Sequence, residues 1–215
     1  MVMQWSPLFV TMAVLFLVVS VACGGESKAD PSPTATSARP ARSPTATFAP
    51  STTPSPTDTQ LDFDLLPEVS APAGLGTIAW PNNLQESSAL FERLPSEFAG
   101  HRIKARFEQS KLGVFSTTYE DDPEIGVAVQ DLAKGDFFPT DTKTGQHVAF
   151  LAQLPQWEVV AAGREGDLAW VQIKDDDIYM MQWGNAPSSI VFLAMANDLS
   201  VLMALVEAMV SAASG

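Results

Sequence analysis

The sequence predicts an α+β domain: an antiparallel, meander-like β-sheet with helices packed on one face, the last of them an amphipathic helix at the C-terminus. Three observations carry this. Short segments that alternate apolar and polar residues, or are wholly apolar, recur between residues 101 and 196. Turn residues such as Gly163-Arg164-Glu165-Gly166-Asp167 and Asp175-Asp176-Asp177 separate them by a few positions, which favours antiparallel neighbours. Two other stretches, Leu84–Leu94 and Leu199–Ala213, repeat apolar residues every three or four positions, the period of a helix with one buried stripe.

The elements follow in order. Asn82-Asn83 supplies cap chemistry for a helix from Leu84 to Leu94, Glu86 sits in its first turn, and Pro95 stops it. From His101, Ile103, Ala105 and Phe107 alternate with Arg102, Lys104 and Arg106, the pattern of a half-buried strand. Ser110, Lys111 and Gly113 turn the chain, and Val114–Tyr119 is the hairpin partner. Glu124–Leu132 gives a third strand, closed by a turn at Lys134-Gly135-Asp136. Gln146–Leu154 reads as a short helix ended by Pro155. A meander follows: Trp157–Ala162, Leu168–Ile173, Ile178–Trp183 and Ile190–Ala196. The last helix begins after Asn197 or Asp198 and carries Leu199, Leu202, Met203, Val206, Met209 and Val210 on one stripe.

This domain occupies residues 61–215 and holds 22 acidic against 9 basic residues, so the whole net charge of -13 sits in it. Such acidity argues against nucleic acid as a partner, because phosphate binding needs clustered Lys and Arg. Residues 23–60 differ sharply. From Asp30 to Gln60 there are seven prolines and thirteen Ser or Thr, and Phe48 is the only large apolar residue, so the segment has no core to offset the entropy of ordering. It reads as a spacer or stalk. The pentamer SPTAT recurs at Ser32–Thr36 and Ser43–Thr47.

Residues 1–22 read as a leader. Nothing from Met1 to Cys23 is charged, and Leu8–Cys23 is apolar apart from Thr11 and Ser20. Sixteen helical residues reach roughly 24 Å, short for a bilayer span and of the length of a signal core. The run ends Ser20-Val21-Ala22-Cys23-Gly24-Gly25. This resembles the lipobox of bacterial lipoproteins. The resemblance, confined to the first 25 residues, implies that the Cys23 thiol takes a diacylglyceryl group, that cleavage leaves Cys23 as the mature N-terminus, and that palmitate-type acyl chains hold the protein on a lipid bilayer at the exported face of a cell membrane. Two alternatives are an uncleaved membrane helix and ordinary cleavage after Ala22, which fits a small-x-small rule.

Several chemistries are excluded. One cysteine cannot make a disulfide framework, and one Cys with two His is too few for a cysteine-rich zinc finger. There is no GxxxxGK[ST] and no GxSxG, and Gly74-Leu75-Gly76 does not connect a strand to a helix as a dinucleotide fingerprint does. No metal site, cofactor or catalytic constellation is expected.

Two candidate sites stand out. Arg102, Lys104 and Arg106, on one face of a regular strand, would form a cationic stripe able to receive a carboxylate or phosphate, against the plainer reading of a solvated face. Trp157, Trp170 and Trp183, spaced by 13 residues, join Tyr179 as a stacking platform for sugars or peptide side chains, against the plainer reading of core under the last helix. Glu120–Glu124 and Asp175–Asp177 read as solvated turns, and His101 and His147 as ordinary boundary residues. The expectation is a non-catalytic module binding an unknown ligand or envelope protein. The alternatives are an exported hydrolase or metal enzyme built on His101 with acidic residues, and a structural envelope-stress module.

Overall fold

The computed structural model describes residues 63–119, 125–134 and 138–215, all within the unit Gln60–Gly215. The leader, Cys23, the Pro-rich segment, Glu120–Glu124 and Gly135-Asp136 lie outside the described residues.

The alternating segments become eight strands: β1 (Glu97–Phe98), β2 (His101–Gln109), β3 (Val114–Tyr119), β4 (Gly126–Asp131), β5 (Glu158–Glu165), β6 (Leu168–Asp175), β7 (Ile178–Asn185) and β8 (Ile190–Ala196). They form one open sheet in the order β1-β2-β3-β4-β8-β7-β6-β5, with every neighbouring pair antiparallel. The architecture is α+β, with a C-terminal helix. It is a pair of four-strand meanders rather than one continuous meander, because β4 pairs with β8 and not with its chain neighbour β5. The hairpin turns are tight: Gly166 sits at φ 57° between β5 and β6, and Asp176 at φ 50° between β6 and β7.

Among the described residues three helices accompany the sheet: α1 (Leu84–Glu92), α2 (Thr144–Leu151) and α3 (Leu199–Ser214). Asn83 caps α1, its side chain accepting the Glu86 N–H at 2.9 Å, and Asp198 caps α3 by accepting from Ser200 and Val201. Thr144 fixes the start of α2, its hydroxyl donating to the Ile190 carbonyl at 2.8 Å and its N–H to Ser188, so this helix begins two residues ahead of the predicted Gln146.

The main core lies between the sheet and the pair α1 and α3. Leu90 and Phe91 of α1 and Leu202, Leu205, Val206 and Met209 of α3 cluster with Tyr119, Val127, Val129, Trp170, Met181, Trp183, Phe192 and Ala194. In the registers these sheet residues lie directly opposite one another, as Trp170–Trp183, Trp183–Phe192 and Phe192–Val129. The intervening residues point the other way. On that second face His147 of α2 meets Gln182 of β7, and Thr144 lies against Gly184, where no Cβ would fit beside the Ile190 carbonyl. Helices therefore cover both faces, where the sequence places them on one. Over Leu168–Ile173 of β6 and Ile178–Gly184 of β7 both faces are apolar or neutral, with Ala169, Val171 and Ile173 buried on the side of α2, so each face needs a cover.

Before the first helix, the chain forms two 3-10 turns, Phe63–Leu65 and Pro72–Thr77, that the sequence reading does not contain. Between them Pro67–Val69 runs parallel to the end of β5: the Arg164 N–H donates to Pro67 O and the Val69 N–H to Arg164 O, both at 2.9 Å.

Candidate functional site

The cationic stripe is divided by a bulge. Ile103 lies opposite Tyr119, but Ala105 lies opposite Thr118 and Arg106 opposite Thr117, so β2 carries one extra residue at Lys104. Tyr119 and Thr117 share a face; Ile103 and Arg106 therefore share it too, while Arg102 points to the other side. Arg106 is close enough to Tyr119 for its charge to oppose the rise that burial causes in the phenol pKa. Arg102 lies 3.9 Å from Glu97, both well exposed. The three cations remain exposed along the same strand, and that strand is an edge: among the described residues, β1 pairs with His101 and Arg102 and the Ser96 carbonyl accepts the Ile103 N–H, with no strand alongside the remainder. Basic residues and a bulge on an edge strand hinder pairing with like edges.

The aromatic group divides as well. Trp170 and Trp183 do face each other across β6 and β7, as their 13-residue spacing suggests, but both are buried in the main core. Trp183 is fully buried and stacks on Phe192 at 5.9 Å. Trp80, absent from the sequence reading, completes this cluster: its ring meets Trp183 at 5.5 Å and Phe192 at 5.0 Å, and its indole N–H donates to Leu75 O at 3.0 Å. Among the described residues the buried indole nitrogens of Trp170 and Trp183 have no hydrogen-bond partner, so both rings act as apolar bulk. Trp157 precedes β5 and is half-buried. Tyr179 is half-buried at the core margin with the Lys174 ammonium 5.5 Å over its ring. These four residues do not make one open platform.

His147 is buried, and its Nε2 lies 2.9 Å from Gln182 Oε1. An amide oxygen can only accept, so the imidazole carries its proton on Nε2. The Phe138 ring lies nearly perpendicular to the imidazole, 5.1 Å between centroids. Burial pushes the His147 pKa down to about 4, only partly offset by the Gln182 bond. His101 starts β2, whereas Asp175–Asp177 lie at the β6–β7 turn, four to five strand spacings away or roughly 20 Å across the sheet. Among the described residues, no three His, Cys, Asp or Glu side chains converge to hold a metal ion, and no helix is long and apolar enough to cross a membrane.

The second sheet edge, β5, was not singled out by sequence reasoning. Of the five large apolar side chains left exposed among the described residues, four lie here: Val159 at 37% and Val160 at 44% on β5, Val69 at 44% on the paired segment, and Leu65 at 62% beside it. Val160 is the extra residue of a second bulge, between Val159 and Ala161. Pro67–Val69 closes the outer edge from Gly163 onward, and Arg164 holds it there through a 2.7 Å ion pair to Asp64 with its guanidinium 5.2 Å from the Phe63 ring. Glu165 accepts the Ala71 N–H at 2.8 Å. Over Glu158–Ala162 no described segment pairs with the outer side of the strand. Glu158 begins this stretch and Glu68 lies on the segment that closes the strand beyond it, both exposed. The signal was present at Val159-Val160, yet a valine pair in a strand reads equally well as core.

No protein-family model matches the chain, and neither a curated protein nor a solved structure is similar to it.

Proposed function

We propose that this chain is an exported bacterial lipoprotein, anchored in a membrane through an acylated Cys23, whose folded domain binds a protein partner along the β5 edge without performing catalysis. The gathering of four exposed apolar side chains on one sheet edge supports the binding role. A solvated edge strand presents unused backbone N–H and C=O groups, and an extended chain laid alongside satisfies them while covering the valines. The Pro/Ser/Thr-rich segment suits the role of a spacer between the lipid and the domain.

A photo-crosslinking residue placed at Val160 of the full chain in cells tests the edge. Specific adducts from position 160, and none from an equivalent probe at the exposed Leu199, are expected; equal labelling from both sites refutes an edge-directed role. Cys23→Ser tests the anchor separately. The protein should leave the membrane fraction, and unchanged fractionation refutes lipidation.

A further inference from the structure

We propose that the partner on the β5 edge is a second copy of this chain, presenting the outer edge of its β2, so that the sheet continues from one molecule into the next. This rests on the reading of β5 as a binding edge. The strand order supplies the geometry. Six antiparallel steps separate β2 from β5, so the two edge strands run in the same direction. A copy shifted sideways, without being turned over, sets its β2 parallel to β5 and keeps the face that carries α1 and α3 on the same side.

The open stretches correspond. β5 is closed at its end by Pro67–Val69 and open over Glu158–Ala162. β2 is closed at its start, by β1 and Ser96, and open beyond Ile103. In a parallel arrangement one cover falls before the shared stretch and the other after it, so neither obstructs the pairing.

Charge selects this pairing over the others. Within the open stretches, β5 carries the exposed Glu158, and β2 carries the exposed Lys104 and Arg106 ahead of Glu108, while Arg164 is engaged by Asp64 and Arg102 lies beside Glu97. Pairing β5 with β5 in register sets Glu158 against Glu158, and β2 with β2 in register sets Lys104 and Arg106 against themselves, whereas β2 against β5 brings these cations towards Glu158. Val159 and Val160 then meet the Ala105 and Phe107 region. The contact is heterologous and does not close on itself, so it builds a row of molecules. Attachment to a common bilayer would raise the effective concentration of edges above that in solution.

The test uses full chains, half of them isotopically labelled, with a photo-crosslinker at Val160. Peptide mapping is expected to find adducts joining position 160 of one copy to residues 104–108 of a differently labelled copy. K104E together with R106E should cut the yield roughly tenfold, and adding E158K to the same chains should restore much of it, as opposite-charge pairing requires. The altered residues are exposed, and a circular dichroism spectrum matching the parent confirms that each variant is folded. Adducts that map to β5 of the second copy or to another protein, or a yield indifferent to K104E and R106E, overturn the self-pairing while leaving the β5 edge as a binding surface. Absence of any adduct at 160 removes both.

Discussion

His147 shows what burial does to a single ionisable side chain. Its pKa of about 4 in the folded protein lies below the ordinary 6.5 because burial penalises the charged imidazolium, and the Gln182 hydrogen bond offsets only part of this. Between these two values the unfolded chain binds a proton that the folded protein refuses, so stability falls as the pH is lowered through this window. The loss approaches about 3 kcal/mol near pH 4, taking about 1.4 kcal/mol per unit. Urea unfolding at pH 7 and pH 5 is expected to show this slope, and His147→Gln should flatten it; an unchanged slope in the variant assigns the effect elsewhere. A lone histidine in the sequence gives no sign of this, because the helix that buries it is met by strands distant in the chain. Trp183 makes the same point for the aromatics. Its spacing from Trp170 identifies facing positions correctly, but spacing cannot separate an open platform from a core. Trp183→Ala should cost about 3–5 kcal/mol in unfolding free energy, against much less for Trp157→Ala, since only the former empties a filled site.

At the scale of elements, local pattern was informative wherever the partner is a chain neighbour. Val114–Tyr119 and Ile190–Ala196 occupy the predicted strand limits, and the last helix extends one residue past its predicted end. β5 runs on through Gly163-Arg164-Glu165, which read as turn; the glycine there serves close approach, not reversal. A Cβ on Gly163 would meet Val69 Cγ2 and Pro67 O, so the missing side chain admits the segment that closes β5. Gly163→Ala should therefore loosen that segment: hydrogen exchange at the Val69 and Arg164 amides is expected to quicken while that of β7 stays unchanged. Protection unaltered at Val69 would show that the approach is not limiting. The bulge at Lys104 is the complementary case. Alternation from Arg102 to Phe107 looks unbroken in sequence, yet one extra residue sends Arg102 and Arg106 to opposite faces, and only the register against β3 reveals it.

For the whole molecule, the α+β class was legible because hydrophobic period distinguishes strands from helices within a short window. The pairing of β4 with β8 was not. These strands are separated by more than fifty residues, and Val127 and Val129 suit any central neighbour equally well. The placement of α2 opposite α1 and α3 was hidden for a related reason: a central strand apolar on both sides does not say which helix covers which side. The exposed edge is visible only once the outermost strand is known.

That central pairing has a consequence for biogenesis. β8 is the final strand to leave the ribosome, and it occupies the middle of the finished sheet. Until residue 196 has emerged, the nascent polypeptide can hold only two incomplete ribbons, each with a greasy inner flank awaiting its neighbour. The seam at β8 closes late, and a chain stopped short of it has no means of joining its halves.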